Sequence, residues 1–179
     1  DAPAVPVTND YIGPNGGSWH LAANWSTGDV PDQFTENARI PAGKSVVINT
    51  NVNTQHVCNY GTITIDQTSS PSLNISGFLL NEGAVTSNGT NSSGDVQFWG
   101  PKSRYKGNGT NLDADYVVRA GSLTLEANLN CRSVLIRTTM DASNRLLTVQ
   151  KNFTAVTNSG FTRTGSTVIL DGPCVSCLD

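Results

Sequence analysis

The feature that most limits how this chain can fold is a short template that returns along it. Ser122-Leu-Thr-Leu-Glu-Ala-Asn-Leu-Asn130 matches Leu146-Leu-Thr-Val-Gln-Lys-Asn-Phe-Thr154 at an offset of 24 residues. Ser45-Val-Val-Ile-Asn-Thr-Asn-Val-Asn53 fits the same template 77 residues before Ser122, and Ser72-Leu-Asn-Ile75 stands 50 before it. Asp95-Val-Gln-Phe-Trp-Gly-Pro101 echoes Thr167-Val-Ile-Leu-Asp-Gly-Pro173 at 72. These spacings cluster near multiples of 24. The repeated pieces are short apolar, often β-branched runs, such as Val46-Val-Ile48, Ile63-Thr-Ile65 and Val134-Leu-Ile136. Gly, Asn, Ser or Asp bounds each run, which is the signature of a short strand.

A degenerate repeat holding two or three short strands is what a parallel β-solenoid needs. Each rung cannot bury its inward side chains alone, so rungs stack about 4.8 Å apart. The reading is therefore an all-β, right-handed parallel β-solenoid of five to six rungs with a short N-terminal cap. An antiparallel β-sandwich or jelly roll is the alternative, since its strands also recur every 8 to 12 residues or so. A sandwich, however, has no reason to repeat its template. Along the chain this predicts an extended arm over residues 1–16, a cap over 17–43, the solenoid over 44–172 and a CxxC tail over 173–179.

Composition agrees with that architecture. Only 14% of the 179 residues are charged, against roughly a quarter in an average domain. Asn, Ser, Thr and Gly fill the difference; Asn and Gly tolerate the positive φ of tight corners. A helix bundle is excluded by the scarcity of Ala, Glu, Lys and Leu. The formal charge of -3 and pI near 5.2 give no electrostatic footprint for nucleic acid. No apolar run approaches the roughly 18 residues of a membrane span.

The sequence starts at Asp1 with no leader, which reads as a mature secreted chain, extracellular or on a cell surface. Cys58, Cys131, Cys174 and Cys177 are even in number and are the disulfide candidates, with three connectivities open. Cys174-Val-Ser-Cys177 reads as a local staple: no helix follows to activate a thiol, and no second pair offers a zinc site. Sequons stand at Asn24, Asn74, Asn88, Asn91, Asn108 and Asn152. In a chain this rich in Asn, Ser and Thr, chance accounts for most of them.

Gly17-Ser-Trp19, Asn24-Trp-Ser-Thr-Gly28, Val30-Pro31 and Ala38-Arg-Ile-Pro-Ala-Gly43, leading into Val46-Val-Ile48, resemble a known opening. Large secreted bacterial right-handed β-helix proteins begin in a similar way, among them surface adhesins and pectin-lyase-like or G8-like modules. The resemblance covers most of residues 17–172 and implies that Trp19 and Trp25 cap the first rung. Its motifs are structural, so it transfers no catalytic residues.

Little in the sequence points to chemistry. Asp113 and Asp115, with Arg119 beyond, are spaced for one strand face, but they also read as a solvated corner. His20 and His56 stand alone. No catalytic set, metal-ligand set or cofactor motif is read, and the chain is not expected to be an enzyme. Trp99, Tyr105 and Tyr60 are candidates for stacking on sugars. The ends are more informative, because a solenoid exposes strand edges there. After Leu170 only nine residues remain, too few to cover a rung. The arm Ala2, Pro3, Ala4, Val5, Pro6, Val7 and Thr8, with Val168 and Leu170, is therefore the self-assembly candidate. The expectation is a structural or adhesive subunit of an extracellular fibre or surface layer, a homo-oligomer or polymer. A carbohydrate-binding or polysaccharide-processing β-helix module is the alternative, with glycans as partners.

Overall fold

The computed structural model describes residues 9–88, 95–111 and 113–171. The chain opens with β1 (Asn9–Asp10) and β2 (Gly17–Ser18). Turn 1 is β3 (Asn37–Ile40), β4 (Ser45–Ile48) and β5 (Val52–Thr54). Turn 2 is β6 (His56–Asn59), β7 (Thr62–Ile65) and β8 (Leu73–Ile75), and turn 3 is β9 (Phe78–Asn81), β10 (Ala84–Ser87) and β11 (Val96–Phe98). Among the described residues, turn 4 has only β12 (Ser103–Lys106) and β13 (Asp115–Val118). Turn 5 is β14 (Ser122–Leu125), β15 (Leu129–Cys131) and β16 (Ser133–Ile136). Turn 6 is β17 (Thr139–Asp141), β18 (Leu146–Val149) and β19 (Phe153–Ala155). β20 (Gly160–Thr162) and β21 (Thr167–Leu170) begin a seventh.

All pairings between these strands are parallel. They form a β-solenoid of about six turns, roughly 30 Å long at the usual strand spacing. Face A is one continuous eight-stranded sheet, β1-β3-β6-β9-β12-β14-β17-β20. Face C is likewise continuous, β5-β8-β11-β13-β16-β19. Face B is broken into β2-β4-β7-β10 and β15-β18-β21. The first block reaches turn 4 only through an isolated bridge from Ala84 to Thr110.

Strand alternation builds the core. In β4, β6, β7, β10, β14 and β16 the second and fourth residues are buried and their neighbours half-exposed. Like residues therefore stack in ladders from turn to turn. On face C, Val52, Leu73, Val96, Tyr116, Val134 and Phe153 are successive partners. All but the last are buried, and each such aliphatic side chain contributes about 1.5–3 kcal/mol.

The repeat differs from its expected length. Ser122 pairs with Thr139, seventeen residues on, and Phe78 with Arg104, twenty-six on. Corners of unequal length join strands of nearly constant length, so no single period holds. The first full turn starts at Asn37, inside the segment expected to be cap.

Candidate functional site

Polar chemistry inside the solenoid concentrates at two corners. At the A-to-B corner, Asn59 donates from Nδ2 to Asn81 Oδ1 at 2.8 Å, and Asn81 donates to Asn111 Oδ1 at 2.9 Å. Asn111 in turn donates to the Tyr105 hydroxyl at 2.7 Å. All three amides are buried, so each bond replaces one lost to water. Asn111 is not the sequential heir of Asn81. Gly107 follows Asn81 in register, holds φ 94°, and a Cβ there would collide with the Asn81 carbonyl. The chain therefore loops outward and returns with Asn111 in the ladder position. That loop displaces the face B strand of turn 4. It leaves a cleft of about 370 Å³ lined by Asn108, Asn128, Asn130 and Leu146, among others.

At the B-to-C corner, Asp95 is fully buried. It accepts hydrogen bonds from Gln67, from Ser87 Oγ at 3.1 Å, from the Asp115 backbone N–H at 2.7 Å and from Arg132 Nη2 at 3.1 Å. Arg132 grips Asp115 with both arms, Nε to Oδ1 at 2.8 Å and Nη2 to Oδ2 at 2.7 Å. Burial pushes the Asp95 carboxyl up to about 6, against the pull of the Asp115 N–H and Arg132. Register explains the grouping: Asp95, Asp115 and Arg132 all stand at the entry to face C in turns 3, 4 and 5. The carboxylates and the guanidinium are committed to one another, which makes this a structural clasp. Asp113 adds only the pull of its charge on Arg132, and Arg119 turns away from the cluster. Asp113 is an exposed corner with φ 66°, and Arg119 turns to Gln97 and to the Trp99 ring.

The two ends differ. Before turn 1, Trp19 and Trp25 are buried with ring centroids 4.7 Å apart, and Tyr11 meets Trp25 edge-on at 5.4 Å. Every polar atom of this aromatic plug is used. Trp19 Nε1 donates to Pro31 O, Trp25 Nε1 to Trp19 O, and the Tyr11 hydroxyl to Pro14 O. At the other end, Phe153, Phe161 and Val168 are only half-buried, and Leu170 is 64% exposed.

The remaining sequence candidates separate in space. Cys58 points outward on face A in turn 2, while Cys131 points inward on face B in turn 5. Three turns separate them by roughly 14 Å, far beyond disulfide reach. Both are free thiols among the described residues, which rules out a Cys58–Cys131 bridge; burial raises both pKa values. Cys174 and Cys177 lie outside the described residues, as do Ala2 to Thr8 and Asn91. Tyr105 is fully buried because its strand position points into the core, so it stacks on no ligand. Trp99 and Tyr60 are exposed at different corners, after β11 and after β6. Trp99 is held by its Nε1 bond to Asn74 at 3.2 Å and by Arg119 over its ring at 5.4 Å.

Among the sequons, Asn24 and Asn74 are buried and their amide nitrogens are engaged, by Ser18 O and Asn53 Oδ1. Asn88, Asn108 and Asn152 are exposed. Sequence reasoning missed the Asn ladder and the Asp95–Arg132 clasp. The first had a signal: Asn59 and Asn81 close two successive face A strands, twenty-two residues apart. The second had none, because Asp95 and Arg132 lie 37 positions apart. No protein-family model, curated protein or solved structure matches this chain.

Proposed function

We propose that this chain is a non-enzymatic structural or adhesive β-solenoid of the extracellular space that associates with its own kind through its last turn. One observation carries the reading: the two ends of the core are finished differently. The first turn lies under a fully satisfied aromatic plug, whereas the last described turn presents half-buried Phe153, Phe161 and Val168 beside exposed Ile169 and Leu170. An apolar end bounded by strand edges favours addition of further strands or another apolar surface. The commitment of Asp95, Asp115 and Arg132 to one another supports a structural role for the one buried charged cluster among the described residues. Sedimentation velocity over a wide concentration range tests the reading. Reversible association that Leu170→Lys weakens is expected; a single monomeric species at the highest concentrations would sink it.

A second reading rests on Trp99, whose exposed ring is fixed in tilt by Asn74 and Arg119. A rigid, exposed indole among amides suits the face of a sugar ring. Glycan-array binding that Trp99→Ala abolishes would favour it.

A further inference from the structure

We propose that the cleft on face B is a binding site for a neutral oligosaccharide. The site stands apart from self-association, which neither requires it nor fails with it, and from Trp99 at the corner after β11. Faces A and C run unbroken through turn 4, whereas face B stops at β10 and resumes at β15. The cause is local. Gly107 takes the ladder position after Asn81 with φ 94°, and the chain bulges until Asn111 fills that place. The cleft of about 370 Å³ beside the bulge has the size of a small-ligand site.

The lining selects the ligand by its chemistry. Asn108, Thr110, Asn128, Asn130 and Thr148 surround the cleft with Leu146, and no lining residue is charged. A phosphate or carboxylate finds no cation there, and a metal ion no carboxylate. The amides also differ from those elsewhere in the fold. Asn24, Asn59, Asn74, Asn81 and Asn111 are buried and bonded. Asn108 and Asn130 are exposed, and among the described residues their side chains bond to nothing. Asn128 is engaged through Oδ1 alone, by the Leu146 N–H at 2.9 Å. Each amide presents donors and an acceptor together, which suits a sugar, whose every hydroxyl both gives and takes. Asn130 and Thr148 are ladder partners about 4.8 Å apart, so one ring reaches both. Leu146, 36% exposed, meets the C–H face of that ring.

An added β-strand is the rival occupant, because β15 pairs on one side only, with β18. A strand turns alternate side chains inward, and here the core beneath is already closed. Val85, Leu129 and Cys131 are fully buried without it, and Thr110 holds part of that level through its bridge to Ala84. A ligand that stays on the outer surface fits the cleft; one that must enter the sheet does not.

The test uses the full chain made without glycosylation, since Asn108 opens a sequon and a sugar carried there would cover the mouth. Neutral tetrasaccharides of glucose, mannose, galactose and N-acetylglucosamine are titrated to about 10 mM, well above a millimolar Kd. NMR follows the side-chain NH2 signals of Asn108, Asn128 and Asn130, and thermal melts confirm the fold of each variant. At least one series is expected to shift these signals saturably. Asn130→Ala is expected to weaken that binding about tenfold, through the hydrogen bonds of one amide. Thr148→Trp, which fills the cleft, is expected to abolish it, and Trp99→Ala to leave it unchanged. Binding that survives Thr148→Trp but not Trp99→Ala overturns this site in favour of the one at Trp99. Tighter binding of an oligouronate or of an extended peptide overturns the ligand class. No shift with any neutral series overturns the site itself, while sedimentation of the same protein reports separately on self-association.

Discussion

The head and the tail of this solenoid solve the same problem in opposite ways. Each is where the described core stops, at residue 9 on one side and residue 171 on the other. The head covers it with two tryptophans and a tyrosine whose N–H and O–H groups all find backbone acceptors. The tail offers two phenylalanines meeting edge-on at 5.1 Å and still partly in water. Among the described residues, three of the five buried side-chain polar atoms without a partner, on Thr138, Arg145 and Ser159, also belong to this last third. Internal satisfaction thus falls from head to tail. Among the described residues, then, closure is complete at the head and partial at the tail.

The comparison breaks most readily at the plug. Trp25→Ala removes a fully buried ring, together with its contacts to Tyr11 and Trp19. Urea unfolding is expected to show a loss of about 3–5 kcal/mol. If the loss were below about 1 kcal/mol, the head would be no better closed than the tail.

Next in size is the pH response of the clasp between the ends. The Asp95 carboxyl, raised by burial to about 6, holds its proton more tightly folded than unfolded. Its contribution to stability is therefore fullest below about pH 4 and is lost as pH climbs through about 6. The change is on the order of 3 kcal/mol, from a shift of roughly two units. Asp95→Asn is expected to flatten the profile between pH 4 and 6. A wild-type profile that rises with pH across this window would show that Arg132 and the Asp115 N–H outweigh burial.

Smaller again is the ladder. Asn81→Ala strands Asn59 Nδ2 on one side and Asn111 Oδ1 on the other, although Asn59 keeps the Ala84 carbonyl and Asn111 the Tyr116 hydroxyl. About 1–2 kcal/mol is expected in the same unfolding assay. A larger loss would mark the middle, rather than the plug, as the more tightly interlocked region.

How much of this was legible in the sequence depends on what the strands share. The architecture was legible, because alternation and Gly/Asn corners recur whatever the face. The register was not. Residues 122–130 run from β14 to β15, face A to face B, whereas residues 146–154 run from β18 to β19, face B to face C. The offset of 24 laid a strand of one face on a strand of another. Residues 45–53 and 146–154 do correspond, both passing from B to C. Every strand turns one side in and one side out, so similar runs of Ser, Leu, Thr and Val serve any face. Corner lengths, which set the true pairing, carry no repeated signal. Tyr105 shows the same limit: its burial follows from the phase of β12, which its neighbours Gly100 and Pro101 leave open.

The smallest expected effect separates the two ends most cleanly. Phe161 lies on β20, meets Phe153, and follows Met140 in the face A ladder. Because water already reaches part of its ring, Phe161→Ala is expected to lower stability by only about 1 kcal/mol in dilute solution, a fraction of a fully buried phenylalanine. In solution concentrated enough for self-association, a partner covers the remaining surface, and the same substitution removes burial in two molecules at once. The loss should then grow with protein concentration, by mass action on the associated state. Trp25→Ala, whose ring is covered in the monomer, should show no such growth of its own. Denaturation at two concentrations a hundredfold apart reads this directly. Equal losses for Phe161→Ala at both would mean that the tail, like the head, is finished within one chain.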